Sequence, residues 1–232
     1  MRLKKKKFWN LKALDENTGE LTLYGEISNE TWWGDEVTPK EFKADLDKLG
    51  EIDTLNIYIN SPGGDVFAGQ AIHSMIKRHK AHKNVHVDGL AASIASVIAM
   101  AGDIIFMPKN AMMMIHNPWT IGMGNAAEFR KLAEDLDKIR ESLIAAYEGH
   151  SALTRDEIIS IMDAETWLTA SECEEYGFCD VVQEEKQMAA SIDKSVLTRY
   201  KNTPRELIAE NSEKEAKKQN LIKQKLLMEL EL

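Results

Sequence analysis

Three features within one stretch of this chain could carry covalent chemistry together. Adjacent glycines, Gly63 and Gly64, follow Ser61-Pro62; Ser93 opens an uncharged run; His116 closes an apolar segment just before Asn117-Pro118. A serine hydroxyl is a poor nucleophile until a base within hydrogen-bond reach takes its proton, and an imidazole can do so near neutral pH. Paired glycines leave the backbone free to turn its N–H groups toward an anion or oxyanion, where a Cβ would often interfere. Glycine turn, serine and histidine, in that order, suggest acyl transfer through a serine. Each feature also has a structural reading. Serine at a helix start is a favoured N-cap, and a lone histidine is more often a hydrogen-bonded structural residue. Of the six histidines, His73, His79, His82, His86 and His150 lie in helical, charged or strand contexts without a nucleophile pattern and read as structural or solvated.

The elements that must position these residues follow from periodicity. Leu55, Ile57 and Ile59 alternate as a strand that Ser61 to Gly64 breaks, and Ala68, Ile72, Met75 and Ile76 then recur at helical spacing up to the basic run 77–80. Val85 and Val87 mark a second strand, which Gly89 is expected to break. A buried, uncharged helix follows from about Ser93 to Ala101. Asp103 to His116 reads as two short strands around a Pro108-Lys109-Asn110 turn. Upstream, Asn17-Thr18-Gly19 is expected as a turn, Leu21 to Ile27 as a strand, and Trp32-Trp33 as a polar-loop contact or a partly buried pair. Thr38 to Glu41 is a capping box with Pro39 at the first helical position, for a helix ending by Gly50. Downstream, Asn125 caps a long helix whose Phe129, Leu132, Leu136, Ile139 and Leu143 form one stripe. Thr154 with Glu157, and Thr169 with Glu172, start short helices on either side of Glu165. Repeated strand-turn-helix units imply an α/β fold with a largely parallel sheet.

A chain of 232 residues suits one core domain with an appendage. We expect a basic N-terminal segment over 1–18, a core domain over 19–184, and a charged linker with a helical tail over 185–232, where Thr203 to Glu206 is a fourth capping signature. The net charge of -9 argues against nucleic acid as the main partner. No apolar run approaches transmembrane length, and the basic start, Arg2 and Lys4 to Lys7, has no apolar region behind it to make a signal peptide. With only Cys173 and Cys179, a disulfide framework is not expected and a reducing cytoplasm is. Neither cysteine has metal-ligand spacing, and no metal or cofactor is implied.

The segments INSPGG, GLAASIAS and MMIHNP resemble the three site motifs of the Clp protease proteolytic subunit family, in the same order and at similar spacing, within a resemblance spanning roughly Leu21 to Val182. That resemblance implies a Clp/crotonase-like fold of repeated β-β-α units and a serine endopeptidase. It implies Ser93 as nucleophile, His116 as base, and Gly64 and Ile94 as oxyanion N–H donors. The family places an aspartate just before an LSAxEAxxxGxxD segment; this chain reads ETWLTASECEEYGFCD there, which puts Glu165 on that position, with Asp163 as the alternative acid. If neither orients the histidine, the site is a dyad. The long helix, about 125–148, corresponds to a projecting handle that joins two stacked rings, so a homo-oligomeric ring acting on protein or peptide substrates is implied. ETWWGDEVTPKEF, GLAASIASVIAMAGD and DAETWLTA look most like the phage-encoded head maturation proteases of this kind. Their substrates would be scaffold or capsid precursors, in the host cytoplasm or prohead. A housekeeping peptidase fed by an unfolding ATPase would share the same site. So would a vestigial ring-forming assembly factor, whereas a signal-peptide-peptidase-like enzyme would use a lysine base.

Overall fold

Alternation of buried and half-exposed side chains builds the sheet on which everything else rests. The structure, a computed structural model, describes residues 7–28, 38–185 and 194–208. In chain order the elements are β1 (Trp9–Ala13), β2 (Thr18–Tyr24), α1 (Pro39–Asp47), β3 (Thr54–Ser61), α2 (Val66–Arg78), β4 (His82–Ala92) and α3 (Ile94–Ala99). They continue with β5 (Ile104–Pro108), β6 (Met112–Ile115), α4 (Ala126–Glu148), α5 (Arg155–Asp163), β7 (Thr166–Thr169), α6 (Ala170–Tyr176) and β8 (Val181–Gln183). The main sheet runs β1-β2-β3-β4-β5-β8, parallel throughout except for the antiparallel pair β1-β2. A branch leaves it at β4, whose last residues pair in parallel with β6, and β7 lies antiparallel on β6. This is the α/β, largely parallel architecture that the repeated units predict. Leu21, Leu55, Ile57, Ile59, Val85 and Val87 pack from the strands against Ile72 and Ile76 of α2 and Ile94 and Ile98 of α3.

The helix ends are where the sequence places them. Thr38 accepts from Glu41 N with the reciprocal bond also made, and Pro39 is the first helical residue of α1. Thr154 and Thr169 cap α5 and α6 in the same way. Asn125 caps α4, a 23-residue helix that buries only Leu143, Ile144 and Tyr147 near its C-terminal end, so most of it stands clear of the core.

Four expectations need correction, and one strand was unforeseen. The domain does not begin after residue 18: β1 is a full strand of the sheet, and Trp9 is 4% exposed, edge-on to Phe42 with its indole N–H donating to Asp45. One large buried aromatic outweighs the polar look of its neighbours. Thr18 and Gly19 belong to β2 and the chain reverses at 14–17, where Asn17 N donates to Asp15 Oδ1. Gly89 does not end β4, because the ladder only changes partner there, from β5 at residues 84–86 to β6 at residues 90–92. β7 was not foreseen, since four residues between two helices are too few to show alternation. Finally, contacts divide the chain between Asp193 and Lys194, rather than at 184/185. The described part of the second unit holds α7 (Lys194–Leu197) and α8 (Arg205–Ile208), with Thr203 Oγ1 donating to Leu197 O. Trp32-Trp33, the basic residues 2–6 and the tail beyond residue 208 lie outside the described residues.

Trp9→Ala should lower unfolding stability by about 3 kcal/mol, the range for truncating a buried aromatic, as measured by chemical denaturation. An unchanged midpoint would show β1 to be an appendage.

Candidate active site

Strand register alone brings the candidate residues together. β3 pairs with β4 at Ser61↔Ala91, so the chain two residues on sets Gly63 beside Ser93. β4 pairs with β6 at Ala92↔Met114, and Ser93 N donates to Met114 O at 2.8 Å. β6 pairs antiparallel with β7 at Ile115↔Thr166; His116 directly follows β6 and Glu165 directly precedes β7, and the charge of Glu165 acts on the imidazole.

Ser93 occupies the N-cap position of α3, yet its side chain makes no capping hydrogen bond. Its backbone sits at φ 56, ψ -128, a conformation that costs a non-glycine residue about 1–3 kcal/mol. Its Oγ lies instead 2.7 Å from His116 Nε2. The structural reading of Ser93 as a cap therefore fails.

His116 is nearly buried. Burial pulls its pKa down to about 4, and the charge of Glu165 acts in the opposite direction. The imidazole is therefore neutral at pH 7, with Nε2 able to accept the serine proton when Nδ1 carries the hydrogen. Asp163, the alternative acid, is engaged elsewhere: its Oδ1 accepts from Asn117 Nδ2 at 2.7 Å and from Arg140 at 3.2 Å. Glu165 is the carboxylate whose charge reaches the imidazole, and it holds a left-handed φ of 48 just past the end of α5.

Both glycines are required where they stand. At Gly63 (φ 95) a Cβ would fall 2.6 Å from Ser93 Cβ and 2.8 Å from Ala92 O; at Gly64 (φ 146) it would fall 1.9 Å from Ile27 O. The turn is tied down by Ile27 N donating to Gly63 O and Asp65 N donating to Ile27 O. Neither Gly64 N–H nor Ile94 N–H is taken by another described residue. Ile94 is the first residue of α3, where backbone N–H groups have no acceptor within the helix. Sequence reasoning singled out both glycines but gave a separate role only to Gly64; it is the lack of a side chain at Gly63 that lets the turn touch the serine. It also missed Asn117, which ties the histidine loop to Asp163.

Beside Gly64 opens a groove of about 320 Å³ lined by Val66, Phe67, Pro118, Trp119 and Leu132. Both cysteines are buried, and burial pushes their thiols up, Cys179 to about 12, so neither offers a thiolate. Among the described residues no cluster of His, Cys, Asp or Glu could hold a metal ion, and no helix is long and apolar enough to cross a membrane.

A family model described as Clp protease matches residues 40–186. The chain is 32% identical over 154 residues to an ATP-dependent Clp protease proteolytic subunit of Bacteroides fragilis, covering 64% of this chain and 74% of that one. It is 31% identical over 140 residues to the subunit of the same description from Deinococcus radiodurans (59% and 68% covered) and 30% identical over 158 residues to that of Porphyromonas gingivalis (66% and 71%).

Gly63→Ala should cut the reaction of Ser93 with a fluorophosphonate by at least about 100-fold, the scale expected when a reacting group is displaced by about an ångström. Circular dichroism should show the fold retained. A wild-type rate in the folded variant would contradict the packing of this turn on the serine.

Proposed function

The chain belongs to the Clp protease family, and on that premise we propose that it is a serine endopeptidase cutting protein chains through an acyl-enzyme on Ser93. The observation that carries this reading is the 2.7 Å contact between an uncapped serine hydroxyl and a buried, neutral imidazole.

In this reading His116 Nε2 takes the Ser93 proton as Oγ attacks the scissile carbonyl. The resulting oxyanion is held by the N–H groups of Gly64 and Ile94; in comparable sites one such donor is worth about 100- to 1000-fold in kcat. His116 then passes its proton to the leaving amine, and a water repeats the sequence to release the acyl group. Glu165 stabilises the imidazolium that forms in both steps and keeps the ring in the right orientation. The apolar groove beside Gly64 accepts a nonpolar substrate side chain.

Assembly into rings is part of the same proposal. The exposed Ile121 (86%) and Met123 (99%), in the segment before α4, and Phe129 (49%), near the start of that helix, suit a subunit contact. For the setting, the wording of the motifs favours phage head maturation with capsid or scaffold proteins as substrates. The names of the similar proteins favour work with an ATP-dependent partner. Incubation of the protein and its Ser93→Ala variant with capsid and scaffold proteins, and separately with an unfolding ATPase and its substrate, decides between them. Cleavage by the unaltered protein alone is expected, and equal cleavage by both proteins would end the nucleophile assignment.

The pH dependence follows from the imidazole. His116 works only when unprotonated, so the acid limb of kcat/KM in the free enzyme should lie well below the ordinary 6.5, toward about 4. Glu165→Gln removes the charge that raises this pKa, so the limb should move lower still while kcat falls. A limb at 6.5 that Glu165→Gln leaves in place would remove Glu165 from this role. Because the unfolded imidazole binds a proton that the native one refuses, His116 stabilises the fold above about pH 6.5, and that contribution is lost as pH falls toward 4.

A further inference from the structure

The strained Ser93 backbone must be held by its surroundings, and the described contacts show how. Its N–H is anchored on Met114 O, and its carbonyl receives two donors from the next turn of α3, Ser96 N at 3.0 Å and Ser96 Oγ at 2.6 Å. Ser96 Oγ also lies 2.8 Å from Tyr147 OH, which reaches in from the last turn of α4. A serine hydroxyl has one hydrogen. Since Ser96 gives it to the Ser93 carbonyl, Tyr147 is the donor in the second bond, and the chain runs Tyr147 O–H to Ser96 Oγ, then Ser96 O–H to Ser93 O. Tyr147 and Ser96 are 1% and 0% exposed, so no bulk water competes for these bonds. Burial pushes the phenol's pKa up, and Tyr147 keeps its proton.

The Ser93 carbonyl and the Ile94 N–H belong to one peptide group. That group is planar and trans, so its C=O and N–H point in opposite directions. Pinning the carbonyl into α3 therefore fixes the direction of the Ile94 N–H on the other side. We infer that Ser96 and Tyr147 are positioning residues that orient the Ser93–Ile94 peptide, and through it one oxyanion donor, from the buried end of α4. This rests on the peptidase reading above. Neither residue touches substrate; they act through the peptide they hold.

Positioning of this kind should appear in kcat and leave KM unmoved, because the oxyanion exists only in the transition state and intermediates. Tyr147→Phe, Ser96→Ala and the double variant should be assayed with a peptide substrate in the assembled protein, beside Tyr176→Phe as a control tyrosine outside the chain and Ser93→Ala as the inactive reference. Ser96→Ala should lower kcat by about tenfold or more and Tyr147→Phe by about threefold to tenfold, the range for one buried hydrogen bond. The double variant should be no worse than Ser96→Ala alone, with the acid limb of the pH profile and the melting temperature of Tyr147→Phe close to those of the unaltered protein. Tyr147→Phe keeps the ring that packs edge-on to Phe178, so it remains informative if Ser96→Ala folds poorly. Wild-type kcat in Tyr147→Phe, additive losses in the double variant, or an equal loss in Tyr176→Phe would overturn the inference while leaving the peptidase reading intact. Full activity in Ser93→Ala would remove that reading and the inference with it.

Discussion

The structure depends on one pairing: the last three residues of β4 lie in register with β6. That ladder delivers Ser93 and His116 to the same place from separate stretches of chain, because each residue directly follows its strand. Strand pairing fixes position to a fraction of an ångström more readily than loops do, since a slip of one residue would turn every side chain to the wrong face. The neighbouring registers bring in Gly63, two residues past β3 and against Ser93, and Glu165, the residue before β7, whose charge acts on His116. Four residues spread over about a hundred positions are thus placed by three strand pairings.

Two local costs are concentrated here. Ser93 holds a positive φ without the reward of a cap bond, and His116 is buried as a titratable group. The first is offset by hydrogen bonds at both ends of the Ser93 residue and by the close approach of Gly63. The second is met by keeping the imidazole neutral, which is the form a general base needs. The strained backbone at Ser93 leaves its hydroxyl free of a cap bond, and burial of His116 keeps the imidazole unprotonated at neutral pH. α4 contributes at both levels, since its buried end holds Tyr147 against Ser96 and Arg140 further along reaches Asp163, while its outer part remains exposed.

Much of this was legible in the sequence. Alternation in β3 and the first half of β4, the capping boxes of α1, α5 and α6, the Asn125 cap of α4, and the order of glycine turn, serine and histidine all came from local chemistry. The misreadings share a cause, in that each was settled by partners distant in sequence. Gly89 looked like a strand breaker because the switch from β5 to β6 is invisible locally. Trp9 looked like part of a basic appendage because its pocket is formed by Phe42 and Asp45. The choice between Glu165 and Asp163 could not be made from spacing. What separates their surroundings is the engagement of Asp163 by Asn117 and Arg140 and the charge of Glu165 acting on the imidazole. Ser96 and Tyr147 gave no signal at all, because a serine and a tyrosine 51 residues apart become a pair only when α4 folds back on α3.

The central claim is that a hydroxyl freed from its capping role is activated by one buried imidazole. The most direct measurement is mass-spectrometric mapping of the residue that takes up a fluorophosphonate, with the rate of uptake compared between the unaltered protein and His116→Ala. The account predicts a single adduct on Ser93 and a rate reduced by roughly a thousandfold in the variant. An adduct on another residue, or uptake by Ser93 at an undiminished rate without His116, would contradict it.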